Sequence, residues 1–149
     1  MYYDITTKLQ EHFNNDPLVN TCSSGSIFDI DLTKQTIFPL AHVMVDNVTL
    51  SGDTVQYNVN ILCMDIGDVS KEEGDVFRGN DNEQDILNTQ LSILNKAYEE
   101  LRRGDLYDDN FQVITDANCE PFSDRFENKL IGWSCTFSIV TPNEMTICV

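Results

Sequence analysis

The chain is short of positive charge. Nine lysines and arginines stand against twenty-five aspartates and glutamates, a formal net charge of −16 over 149 residues. A surface of that sign repels phosphate, which argues against whole-surface binding to DNA or RNA. Histidine is scarcer still. His12 and His42 stand alone, with no HExxH or His-x-His spacing, so a zinc-hydrolase centre has no ligands to build from. There is no Gly-x-Ser-x-Gly elbow, and no glycine leads into Lys-Ser or Lys-Thr at phosphate-loop spacing. Cys22, Cys63, Cys119, Cys135 and Cys148 form no CxxC clamp, which excludes a zinc ribbon and a redox dithiol. Their number is odd, and Cys63 and Cys135 fall inside strand patterns. Small buried apolar thiols in a reducing cytoplasm are therefore expected. No stretch approaches the roughly 18 consecutive apolar residues of a membrane-spanning helix. Met1-Tyr2-Tyr3-Asp4 has neither a basic n-region nor an apolar h-region, so no secretory signal is expected.

What is present is enough for one folded domain over 1–149, with 41% hydrophobic and 9% aromatic residues. Asp4 to Asn14 reads as a helix capped by Asp4, with Ile5, Leu9 and Phe13 as its apolar stripe. Asp16-Pro17 ends it, and Thr21 to Gly25 reads as a turn. Ser26 to Leu32 alternates like a short strand, and Phe38 to Val45 reads as a buried one with Pro39 at its start. Val48 to Leu50 and Thr54 to Ile66 flank Ser51-Gly52-Asp53 as a hairpin. In its second arm Val55, Tyr57, Val59, Ile61 and Cys63 share a face. Leu62 and Met64 make the other face apolar near the end, as if that end were covered.

The segment 67–85 is acidic and aperiodic, and an exposed loop is expected there. A helix from about Asn82 to Arg103 follows, with Leu87, Leu91, Leu94, Tyr98 and Leu101 as its seam and Gly104 at its C′ position. Phe111 to Thr115 is a further strand candidate, then a connection from Asp116 to Arg125. In the final strand Trp133, Cys135, Phe137 and Ile139 oppose Ser134, Thr136 and Ser138. The order predicts an α+β fold, a mainly antiparallel sheet with the N-terminal helix and one long helix packed on it.

Carboxylates are plentiful enough to meet by chance. Asp29/Asp31 and Asp108/Asp109 have the hard oxygens a divalent cation needs, but neither pair matches a calcium loop. Asp116, Glu120 and Asp124 read as turn formers. The expectation is a protein without catalytic residues, cofactor or metal. Four residues stand out as interface candidates: Phe122, Arg125, Phe126 and Trp133. Trp133 reads either as a sheet anchor or as a subunit-contact aromatic. Arg125, between two phenylalanines in so acidic a chain, reads either as a partner of a nearby acid or as a bridge to a neighbour's carboxylate.

Several segments, taken in order, resemble a family of tailed-bacteriophage virion proteins, the tail terminator or tail completion proteins of the head–tail neck. They are the first helix, Phe38-Pro39-Leu40-Ala41-His42-Val43, Asn58 to Asp65, Leu87 to Leu101, Pro121-Phe122-Ser123-Asp124-Arg125-Phe126 and Gly132-Trp133. The resemblance implies a non-enzymatic subunit, assembled in the host cytoplasm and located in the virion. It implies a ring of six or twelve copies that touches other neck or tail proteins, with DNA passing through the lumen and no membrane contact. The acidity then has two readings, solubility or a lumen wall that DNA slides past. The long 67–85 segment departs from the simplest form of such a subunit. A monomeric or dimeric binding domain or small enzyme with a pocket between the long helix and the sheet is the alternative. An acidic protein imitating DNA is a third.

Overall fold

The computed structural model describes residues 2–25, 37–66, 83–125 and 130–143. The expected strand Ser26–Leu32 and nearly all of the acidic 67–85 segment lie outside them. The described chain runs α1 (Tyr2–Asn14), β1 (Thr21–Ser24), β2 (Leu40–Ser51), β3 (Thr54–Ile66), α2 (Glu83–Arg103), α3 (Asp105–Asp108), β4 (Gln112–Val113), β5 (Asn118–Arg125) and β6 (Leu130–Pro142). The strands form one sheet in the order β1-β2-β3-β6-β4, with β5 also paired to β6. Only β1 with β2 is parallel. The fold is α+β, as the alternation of segments predicts.

Period-two side chains sort the sheet into two faces. One carries Ala41, Val43 and Val45 of β2, then Val55, Tyr57, Val59, Ile61 and Cys63 of β3, then Cys135, Phe137 and Ile139 of β6. It buries these against Ile5, Leu9 and Phe13 of α1 and Ile93, Leu94, Ala97 and Leu101 of α2. The opposite face has a smaller cluster at one end, formed by Phe38, Leu40, Leu62, Met64 and Leu130. The apolar turnover at Leu62 and Met64 is that cluster.

Several details differ from the sequence reading. α1 starts at Tyr2, so Asp4 lies in its first turn and complements the helix dipole instead of capping it. Thr21–Ser24 is a strand, although its composition is that of a turn. His42 explains it. Its ring is fully buried, with Nε2 2.8 Å from the Gly25 carbonyl and Nδ1 2.8 Å from Ser23 Oγ. A carbonyl only accepts, so Nε2 donates and Ser23 donates to Nδ1. β1 is thereby fastened to β2.

β5 occupies what reads as a connection. It is an edge strand on β6, where the missing N–H of Pro121 is tolerated. The α2 seam is also rotated from expectation. Ile86, Gln90, Ile93, Leu94, Ala97 and Leu101 face inward, leaving Leu91 exposed and Leu87 and Tyr98 at the flank. Gly104 is not left-handed. It has φ −109°, joins α2 to α3, and sits where a Cβ would collide with Glu100.

Candidate interaction surface

Charge is distributed unevenly. The described lysines, together with Arg102 and Arg103, sit on α1 and α2. There Lys8 meets Asp109 of the α3 end at 3.4 Å, and Glu99 accepts from Arg102 at 3.0 Å and Arg103 at 2.7 Å. Those bonds hold the Glu99 carboxyl below the usual range, that to Arg102 first. By contrast β2, β3 and β6 contain no lysine or arginine and just two carboxylates, Asp46 and Asp65. In a chain of net charge −16, these three strands are nearly neutral, while β5 adds Glu120, Asp124 and Arg125 to the sheet.

Beyond the small apolar cluster, β2, β3 and β6 carry an amide and hydroxyl ladder on the face opposite the helices, with Glu120 of β5 in register beside Ser134. Asn58 donates to Asn47 Oδ1 and accepts from Ser138 Oγ at 2.8 Å and from Gln56 Nε2 at 3.3 Å. Asn60 accepts from Ser134 Oγ at 3.0 Å. The Gln56 bond lies within β3, and the others fix register over β2, β3 and β6 without ionic groups.

The edge of the sheet at β2 is half covered. β1 pairs with Leu40–Val43 and ends there, where Gly25 N donates to Val43 O. From Met44 to Ser51 no described strand pairs with the outer side of β2. Val48 and Leu50 stand in register with Tyr57 and Val55, on the helix-bearing face, yet they overhang it at 41% and 69% exposure. Free edges are commonly protected by lysine, proline, inward charge or a β-bulge. This one has a register shift at Asp46 and no lysine or proline.

At the other edge, β4 and β5 run along β6, and beside them lies a groove of about 300 Å³. Leu91, Leu94 and Tyr98 of α2 line it with Ala117, Phe137 and the Cys119–Cys135 disulfide, and Asp116 contributes its one carboxylate. This disulfide corrects the expectation of free buried thiols. Cys119 and Cys135 are direct cross-strand partners, a relation hidden while 116–125 reads as a loop. Cys22 and Cys63 are free, and burial pushes both thiols up, Cys22 to about 12, which keeps them protonated and unreactive.

Of the four expected interface residues, the two whose side chains are described, Trp133 and Phe122, lie on opposite faces of the sheet. Trp133 is half-buried against the core, and its Nε1 donates to the Leu87 carbonyl at 2.7 Å, tying the start of α2 to the sheet. Phe122 lies on the opposite face, against the small cluster, in register with Gly132. A Cβ at Gly132 would collide with the Cys63 carbonyl and lie 2.8 Å from Met64 Cα, so glycine lets β3 and β6 approach. Arg125 pairs through its backbone with Leu130, and Phe126 lies outside the described residues.

A second cavity of about 300 Å³ lies between α1 and the end of α2, with Lys8, Glu11, His12, Glu100 and Asp105 in its wall. His12 is pushed down by burial, and its Nε2 has no partner among the described residues. Among the described residues no group of three or more histidines, cysteines or carboxylates is arranged to hold a metal. No helix of the described residues is long and apolar enough to cross a membrane. No protein-family model matches the chain, and no curated protein matches it.

Proposed function

We propose that this protein is a structural subunit that works by assembling with copies of itself, as a ring at the head–tail neck of a tailed bacteriophage, where it touches other neck or tail proteins. The phage setting rests on the ordered resemblance of its segments. The observation that supports self-association is the near neutrality of β2, β3 and β6 in an otherwise strongly acidic chain, with no described strand on the outer side of β2 from Met44 to Ser51. Copies of net charge −16 repel one another, so a stable contact has to use surface poor in carboxylates. β2, β3 and β6 provide such surface, as does the Leu91 side of α2. A ring also needs two different surfaces on each subunit, and the sheet has two different edges. In this reading the acids lie on the exposed helices and at the lumen, where DNA passes without sticking.

Light scattering on the purified protein, with electron micrographs of the same sample, tests the reading. Rings of six or twelve copies of the 17.0 kDa chain are expected. Assembly strengthens as salt rises from about 0.05 to 0.5 M, because the screening length shrinks to below about 10 Å. A 17.0 kDa species at every concentration and salt would overturn it. The apolar groove beside α2 favours one other reading, a monomeric domain that binds a small apolar molecule there. That reading expects a monomer with a saturable ligand.

A further inference from the structure

We infer that the Cys119–Cys135 disulfide is a redox latch on β5, opened by a small dithiol that reaches it through the groove beside α2. The inference does not depend on how copies associate.

Access is the first observation. The bridge forms part of the groove wall, together with Leu91, Leu94 and Tyr98 of α2 and Phe137 of β6. Cys135 is fully buried and Cys119 is half-buried, so Cys119 Sγ is the sulfur that a reagent in the groove meets. A volume of about 300 Å³ has room for a small dithiol. One thiolate of that reductant attacks Cys119 Sγ and forms a mixed disulfide. The bond between the two cysteines breaks, and Cys135 takes the electron pair and a proton. The second thiol of the reductant then closes on the first, and Cys119 leaves as a thiol. The reductant departs as a cyclic disulfide, two electrons having passed to the bridge.

The second observation is what the bridge holds. Among the described strands β5 pairs with β6 alone. Its ladder runs from Asn118 to Phe122, lacks the N–H of Pro121, and breaks before Arg125. β6, by contrast, is registered along β3 from Leu130 to Pro142, and Trp133 ties it to α2. Opening the bridge therefore loosens β5, and with it Ala117 in the groove wall, while β2, β3, β6 and the helices stay folded.

The third is the fidelity of reclosure. Cys119 and Cys135 stand opposite each other in the row Val43–Ile61–Cys135–Cys119. Cys63 shares their face but lies diagonal to Cys135, at a Cα separation of roughly 7–8 Å. That exceeds what a disulfide spans without backbone movement, and burial keeps the Cys63 thiol protonated. Cys22 lies farther off, beyond Ala41 in the row of Cys63. Neither competes, so oxidation restores the same pair.

The test takes the chain with Cys148→Ser, so that this fifth cysteine supplies no signal, through stepped ratios of reduced to oxidised dithiothreitol without denaturant. Acid quenching, alkylation of the unfolded chain and peptide mass mapping then locate the free thiols. Cys119 and Cys135 are expected to gain label together and to lose it together on return to oxidant, with Cys22 and Cys63 labelled throughout. Hydrogen exchange on the same samples should quicken by roughly tenfold or more at Cys119–Phe122 and stay unchanged over Val55–Cys63. Leu91→Trp, which narrows the groove, should slow opening at a fixed dithiol concentration. A bridge that opens only in denaturant, or whose opening also speeds exchange over Val55–Cys63, would overturn the latch. Loss of label from Cys22 or Cys63 on reoxidation would overturn the fixed pairing. Opening at the parent rate in Leu91→Trp would overturn the route through the groove.

Discussion

The two halves of β2 are built to opposite specifications. Leu40 to Val43 are buried, flanked by β1 on one side and β3 on the other, with His42 bonding to Ser23 and Gly25 and with Leu40 in the small cluster. From Asp46 to Ser51 every residue is exposed, the outer side has no described strand against it, and two aliphatic side chains overhang the core. The backbone is the same and both halves pair with β3. What differs is whether a described strand lies against the outer side of β2. The first half is held on both sides, whereas the second has no strand on its outer side among the described residues, and its lack of positive charge suits the proposed contact between copies better than a nucleic acid.

That contrast can be broken from its committed side. The largest effect is expected from Gly132→Ala, which forces a methyl group against the Cys63 backbone where β3 and β6 meet. A loss of about 3 kcal/mol is expected from such overpacking, read as a lower denaturant midpoint with an unchanged slope. Removing the Cys119–Cys135 link by Cys119→Ser is next. The bridged residues are 16 apart, for which chain entropy gives about 3 kcal/mol, reduced by whatever order β5 keeps unlinked. Denaturation of the parent with and without reductant checks it.

Acid has a smaller effect, acting on buried groups of α1, β2 and β3. Burial lowers the His42 pKa, partly offset by the bond to Gly25, and burial likewise lowers that of His12. Each therefore binds a proton more readily unfolded than folded. Their contribution is fully present above the unfolded value of about 6.5 and is lost as pH falls from there toward the folded values. Asp65, raised by burial, acts in the opposite sense in the carboxylate range. Denaturant midpoints between about pH 7.5 and 5.5 isolate the histidines, and His42→Asn should flatten the slope. The smallest effect on the single subunit is expected from the open half. Leu50→Lys should change stability by within about 0.5 kcal/mol, since it removes no buried contact. The same change should abolish assembly, and that separation of stability from association is the sharpest form of the contrast.

Strong periodicity was legible and weak periodicity was not. Val55 to Cys63 and Trp133 to Ile139 alternate cleanly because they lie in the middle of the sheet, where one face is fully buried. β1 and β5 carry Ser, Thr, Asn, Asp and Pro, whose local preference is for turns. They are strands because β2 and β6 offer them an edge, a tertiary effect that no local pattern reports. The disulfide was hidden for the same reason, since its geometry depends on β5 existing. On α2 the seam of Leu87, Leu91 and Tyr98 was visible, but its orientation was not. Ile86, Gln90, Ile93 and Ala97 take the inward positions and push the leucine stripe to the groove. Of the expected interface residues, Trp133 and Phe122 are placed on opposite faces, so the surface proposed for assembly came from burial and pairing.

Hydrogen exchange of β2 as a function of protein concentration tests the central claim most directly, because it reads both halves of one strand in one experiment. The account predicts that the outward-facing amides between Met44 and Ser51 exchange quickly in dilute protein and slow markedly as copies associate, while those of Leu40 to Val43 stay protected throughout. Exchange across Met44 to Ser51 that is slow in dilute protein, or fast and indifferent to concentration, would contradict it.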